Sequence, residues 1–236
     1  MVLTKEDFQF IKENDSQYKS QVGQDIIVDH ILNKKIKGFF VDVGAHNGVS
    51  FSNTYFFEKY RDWRGICIEP MTKQFELLQA TRSEKTIKIN ACVSDLADEK
   101  VDFIEVEGGV SQTTALEMNM YSCLEAYSSE KHVDEIAKMT NKKGQLKKIE
   151  CFNIRLNYLL GVLGVRNIDL LSIDVEGGEY QVLQSIDYKA YHINVITVEE
   201  NSNKDKIDRL LKENNFELLC FIGGLDLVYV NKNLLI

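Results

Sequence analysis

The stretch that decides the fold is Gly38-Phe39-Phe40-Val41-Asp42-Val43-Gly44-Ala45-His46-Asn47-Gly48. Residues 38–43 form an apolar run broken only by Asp42, as expected of a buried strand. Gly44 and Gly48 then bracket a tight turn in which backbone without side chains can approach a ligand closely. Strand, glycine loop and helix in that order open a doubly wound α/β domain, where ligands lie beyond the carboxyl ends of the parallel strands. The loop departs from the dinucleotide pattern GxGxxG, because His46 stands where a middle glycine would be and Val49 follows Gly48. Taken alone, these residues also fit a strand-to-helix turn that holds nothing.

Working outward, Ile26, Ile27, His30 and Ile31 recur at helical spacing and predict a helix over residues 24–33 before the strand. After the loop come a helix at 52–60, a strand at 64–68 ending in Glu69-Pro70, a helix at 72–80 and a strand at 86–93. The rhythm breaks over 100–145: a short strand at 101–106, a Gly108-Gly109 turn, and a polar helical stretch ending in Asn141-Lys142-Lys143-Gly144. This segment reads as an insertion at about 100–148 in an otherwise single domain. A strand at 149–152 and a helix at 156–163 follow it. The βα pattern then resumes with a central strand at 168–173, a helix at 180–185, a strand at 193–198 and a helix at 204–212. Such alternation predicts a mostly parallel sheet, since each parallel strand needs a crossover. The apolar runs 216–222 and 225–230, joined by Gly223-Gly224, predict a terminal hairpin, which a dinucleotide dehydrogenase sheet lacks.

Bulk properties narrow the function classes. A chain of 236 residues with 44% hydrophobic content can bury one substantial core. A net charge of −8 opposes polyanionic partners, so nucleic acid is disfavoured as a substrate. No apolar run reaches the roughly 20 residues of a membrane span, and the first residues lack the basic-then-apolar order of a secretory signal, so a cytoplasmic location is expected. The five cysteines (67, 92, 123, 151, 220) form no CxxC pair and read as reduced core thiols rather than zinc ligands.

Acids cluster at the predicted strand ends, where chemistry is expected. Asp42 with Gly44 closes the first, Glu69 the second, Ser94-Asp95 the third, Asp174 with Glu176 the central one, and Glu199-Glu200-Asn201 the strand after it. Glu69, some 20–30 residues past the glycine loop, is placed to accept hydrogen bonds from ribose hydroxyls, whether the ligand is a nicotinamide dinucleotide or another adenosyl cofactor. Asp174 and Glu176 are candidate general bases, because burial beside an apolar strand raises a carboxylate's pKa. Asp174, Glu199, Glu200 and Asn201 together offer the hard oxygen ligands that Mg²⁺ takes. His30, His132 and His192 are isolated and read as structural or surface residues.

In combination these stretches resemble the FkbM family of class I methyltransferases. The matching residues are Ser20-Gln21-Val22-Gly23-Gln24-Asp25, residues 40–48, Ser52-Asn53-Thr54, residues 65–70, Ala91-Cys92-Val93-Ser94-Asp95, and residues 171–180. The resemblance implies a seven-stranded Rossmann-like sheet ending in an antiparallel hairpin, S-adenosylmethionine as cofactor, and O-methylation of a sugar hydroxyl on a glycan, nucleotide sugar or glycosylated small molecule. It implies Asp42 and Gly44 at the methionine end, Glu69 on the ribose, Ser94 and Asp95 at the adenine, and Gln21 and Asn53 near the amino-acid moiety. His46 departs from the Asn frequent at its position and is a further candidate near the transferred methyl. A nicotinamide-dependent oxidoreductase, an RNA ribose or cap methyltransferase and a non-catalytic cofactor-binding module are the rival functions.

Overall fold

The computed structural model describes residue 9 and residues 15–107, 118–128, 145–201 and 203–235. Helix α1 (Gln24–Ile31) precedes β1 (Phe39–Val43), α2 (Tyr55–Tyr60), β2 (Arg64–Ile68), α3 (Thr72–Thr81), β3 (Thr86–Ile89) and β4 (Cys92–Val93). Strands β5 (Lys100–Glu107), β6 (Cys123–Leu124) and β7 (Gln145–Ile154) follow. The chain then runs through α4 (Leu156–Val162), β8 (Asn167–Ile173), α5 (Glu179–Gln184), β9 (His192–Glu199), α6 (Lys204–Glu213) and the hairpin β10 (Phe216–Ile222) and β11 (Asp226–Asn231).

Seven strands form one sheet in the order β10-β11-β9-β8-β1-β2-β3. Pairings among β3, β2, β1, β8 and β9 are parallel, and β11 runs antiparallel to both β9 and β10. The order reverses between β1 and β8, the switch point at which such sheets open a crevice. Alternation along β1 sends Val41 and Val43 to one face, against Leu159, Leu160, Val182 and Ile207 of α4, α5 and α6. Phe40 goes to the other face, against Val28, Phe56, Phe57, Trp63 and Leu78. Asp42 shares that second face, so a carboxylate ends a strand whose neighbouring side chains are otherwise core.

Two expectations need correction. The strand expected over 86–93 is two strands in different sheets. Asn90 donates to the carbonyls of Glu69 and Pro70 at 2.8 and 2.9 Å, turning the chain so that β3 stays beside β2 while β4 pairs in parallel with β7. With β5 and β6 they form a second sheet, β4-β7-β5-β6, so the insertion contributes strands that begin before residue 101 and run to Ile154. Nor are all the cysteines reduced. Cys92 and Cys151, 59 residues apart, form a disulfide with Cα atoms 6.6 Å apart, while Cys67, Cys123 and Cys220 are free. The β4–β7 pairing sets that bridge, and no local spacing announces it. The Gly108-Gly109 turn, most of the polar helical stretch and His132 lie outside the described residues. Among the described residues no helix is long and apolar enough to cross a membrane.

Candidate active site

Four strand tips of the large sheet meet at one cavity of about 380 Å³, within the roughly 300–1,000 Å³ of small-ligand sites. Its wall includes Gln21, Asp42, Gly44, His46, Asn53, Glu69, Asp174, Glu176 and Glu199, and on the side of the small sheet Cys92, Phe103, Leu124 and Tyr127. The exits of β1 and β8 are zipped together: the amide of Asp174 donates to the Val43 carbonyl at 3.0 Å. Gly44 sits at φ +85°, and a Cβ there would lie 1.7 Å from the carbonyl oxygen of Asp174. Only glycine fits between those two backbones.

Glu69 is almost fully buried behind this loop, and each of its oxygens takes one backbone N–H, from His46 and from Met71, both at 2.8 Å. Burial nevertheless pushes its carboxyl up to about 7, the two N–H donors pulling the other way. Folding therefore raises its proton affinity above the ordinary 4.5. The folded state binds more protons than the unfolded state between those two values, so ionisation works against folding. The ligand-free protein is expected to lose stability as pH rises from about 4.5 to about 7, and the Asp226 carboxyl, raised by burial to about 6, acts in the same direction. Melting temperatures at pH 5.5 and 7.5 check this; a higher value at pH 7.5 would contradict it.

Asp42 accepts from the Thr54 hydroxyl at 2.5 Å, and burial holds its carboxyl above the usual range against the lowering pull of Arg82. Asn53 donates to Ser172 at 3.1 Å, and its buried carbonyl oxygen has no hydrogen-bond partner among the described residues. Gln21 lies on a segment held by Asp25, whose carboxylate takes the amides of Lys19 and Ser20 at 2.7 and 3.1 Å. His46 donates its amide to Glu69, and its Nε2 lies 3.3 Å from Asn119 Oδ1.

At the β8 and β9 tips, Asp174, Glu176 and Glu199 bring carboxylate oxygens within 4.8 Å of one another. The loop after Asp174 turns back through Glu176 at φ +57° and Gly177 at φ +120°. Glu179 fixes that turn by accepting the amides of Val175 and Gly177 at 3.2 and 2.8 Å. Asp174 is exposed to the open cavity, and its carboxyl is raised by desolvation from the surrounding crevice and by the charges of Asp226 and Glu179. Glu176 and Glu199 are raised by burial and by Asp174. Asp174 does not cap α5, whose N-cap is Gly178 with no side-chain cap bond.

The expected site is corrected at its edges. Ser94 and Asp95 are not on the cavity wall: the Ser94 hydroxyl donates to Asn153 at 2.7 Å and Asp95 accepts from the Tyr127 hydroxyl. Ala91, Cys92 and Val93 take their place. Glu200 is also outside the wall, acting on Tyr229, because successive residues at a strand end point to opposite faces. The Asn201 side-chain amide donates to Glu199 and Glu179, and Glu176 joins Asp174 and Glu199 in the acidic group. Asp226 and Arg82 carried no sequence signal, since each acts on residues brought near only by the fold; Glu179 lies in the matching stretch 171–180, but nothing there marked its part in the turn.

Residues 42–218 match the Methyltransferase FkbM domain. A methyltransferase from Sordaria araneosa, sdnD, is 25% identical over 218 residues, covering 84% of this chain and 82% of that protein. Among solved structures, a TehB-like SAM-dependent methyltransferase from Corynebacterium glutamicum aligns over 94% of this chain and 95% of its own, with 8% identity and a TM-score of 0.41. The precorrin-6y C5,15-methyltransferase of Geobacter metallireducens aligns over 87% and 86%, with 8% identity and a TM-score of 0.41. The matched domain takes in three quarters of the residues, from the aspartate that ends β1 to the first strand of the terminal hairpin, and this chain belongs to the FkbM family of methyltransferases.

Proposed function

We propose that this protein transfers a methyl group from S-adenosylmethionine to a sugar hydroxyl, with Asp174 as the general base. The observation that carries the reading is the convergence of Asp42 and Gly44, Glu69 and Asp174 on one cavity at the sheet's switch point. The residues fit such a cofactor. Five acids (Asp42, Glu69, Asp174, Glu176, Glu199) and no lysine or arginine stand among the described wall residues, which suits a ligand bearing a sulfonium and an ammonium and opposes a dinucleotide's pyrophosphate. The orphaned Asn53 carbonyl oxygen offers an acceptor to the amino-acid arm, and the glycine at 44 leaves room for close approach.

When bound, the cofactor supplies a methyl group on a good leaving group. The protein's share is orientation and proton removal. Holding an acceptor oxygen about 3 Å from the methyl carbon substitutes for a collision in solution. A sugar hydroxyl ionises far above neutral pH, so Asp174, open to the cavity and raised in pKa, takes its proton. His46 and Glu176 are the next candidates on the same wall. Aromatic rings at Phe51, Tyr121 and Tyr127 beside the hydroxyls of Ser50 and Ser122 offer the mixed apolar and polar surface that a pyranose needs. A divalent cation such as Mg²⁺ at Asp174, Glu176 and Glu199 is the second reading, favoured by their mutual approach within 4.8 Å; full activity in excess chelator removes it.

Methyl-labelled cofactor offered with free sugars, glycosides and nucleotide sugars tests the proposal. Label should appear as a methyl ether on one acceptor class, and calorimetry should show binding of S-adenosylmethionine and none of NAD. Binding of NAD alone, or cofactor binding with no labelled acceptor in any class, overturns it.

A further inference from the structure

Arg82, the C-cap residue of α3, turns a completely buried guanidinium under the loop that follows β1. Its Nε donates to the Gly48 carbonyl at 2.7 Å, Nη2 to the hydroxyls of Ser52 and Thr54 at 2.8 and 2.6 Å, and Nη1 to Glu58 at 3.2 Å. Nη2 also lies 3.6 Å from Asp42 Oδ2, the oxygen that accepts from the Thr54 hydroxyl. The ring centroids of Phe40 and Tyr55 each lie 5.5 Å from the guanidinium carbon. Among the described residues Arg82 is the cation that acts on Asp42, whose own charge raises the carboxyls of Glu69 and Asp174 and the thiol of Cys67 on the adjoining strands. Arg82 does not itself line the cavity and meets its wall from behind, at Ser52 and Asp42.

We propose that Arg82 is a positioning residue for cofactor binding: directly and through Thr54 it fixes the orientation and negative charge of Asp42, which the cavity then presents to the amino-acid arm of the ligand. This rests on the adenosylmethionine reading, with Asp42 at the methionine end. A planar fork with five donors can reach a carbonyl, two hydroxyls and two carboxylates at once; a lysine cannot. The consequence is selective. Loss of Arg82 should weaken ligands that carry the amino-acid arm and spare those that end at the thioether.

S-adenosylhomocysteine and methylthioadenosine share the adenosine and differ in that arm, so calorimetry with both separates positioning from scaffolding. Arg82→Met should weaken S-adenosylhomocysteine by about tenfold or more, roughly 1.4 kcal/mol, with methylthioadenosine changed less than about twofold. Arg82→Lys should recover part of the loss. Asp42→Asn should show the same selectivity, and the double variant should be no worse than Asp42→Asn alone, as residues acting in series are not additive. Thr54→Val keeps the side chain's shape while cutting the relay, and should give a smaller loss of the same kind if Arg82→Met does not fold. Equal weakening of both ligands, or none, overturns the proposal. Wild-type protein that binds neither ligand removes the cofactor reading itself, and the proposal with it.

Discussion

Gly44→Ala is expected to weaken cofactor binding strongly and to destabilise the protein severely. The added Cβ would lie 1.7 Å from the Asp174 carbonyl oxygen and 2.8 Å from its carbon, both backbone atoms. Neither can move freely, because the Asp174 amide is bonded to Val43 and the amides of Gly44 and Ala45 both donate to the Ile68 carbonyl at 3.0 Å. Relief requires separating β1 from β8, the pair that forms the floor of the cavity. A non-glycine residue at φ +85° adds backbone strain, about 1–3 kcal/mol by itself. A loss of about 3 kcal/mol or more is therefore expected in urea unfolding, with cofactor affinity down by about a hundredfold or more, near 2.7 kcal/mol. A variant that melts and binds like the wild type would show that the two loops are not in contact.

Asp174→Asn is expected to reduce turnover by about 10²–10⁴-fold, the usual contribution of a general base. Affinity for S-adenosylhomocysteine should change little, since the proposed role of Asp174 is toward the acceptor. The proposed base works only when ionised, so wild-type turnover should fall on acidification through a pKa raised by desolvation in the crevice and by Asp226 and Glu179. That limb should lie closer to neutrality than the roughly 3.9 of an ordinary aspartate, and it should be absent in the variant. Removing one of three carboxylates within 4.8 Å of each other also relieves repulsion, so the ligand-free variant should melt no lower than the wild type. Lost turnover with retained or raised stability separates a chemical role from misfolding; near-normal turnover would pass the role to His46 or Glu176.

The comparison of Asp42, Glu69 and Asp174 with Ser94 shows what a strand tip can tell. Each of the first three ends a strand of the large sheet, and parallel topology brings all such tips to one edge; an acid after an apolar run is thereby placed without knowledge of its partners. Ser94 follows a run of the same appearance, yet Asn90 has already diverted the chain, and the hydroxyl turns to Asn153 on β7. Glu199 and Glu200 differ in the same way: alternation guarantees that only one of them faces the cavity, and which one depends on the register of β9 against β8.

Local quantities were legible in the residues alone: the period of each apolar run, the glycine at position 44, the terminal hairpin, and the acids that close β1, β2 and β8. Tertiary structure alone decided the fork of Arg82 beneath Asp42, the Cys92–Cys151 bridge, the second sheet against the cavity, and the choice of Glu176 over Glu200 in the acidic group. The physical reason is range. Backbone periodicity and turn chemistry act over a few residues, whereas a buried guanidinium or a carboxylate cluster takes its partners from segments that only packing brings within a few ångströms.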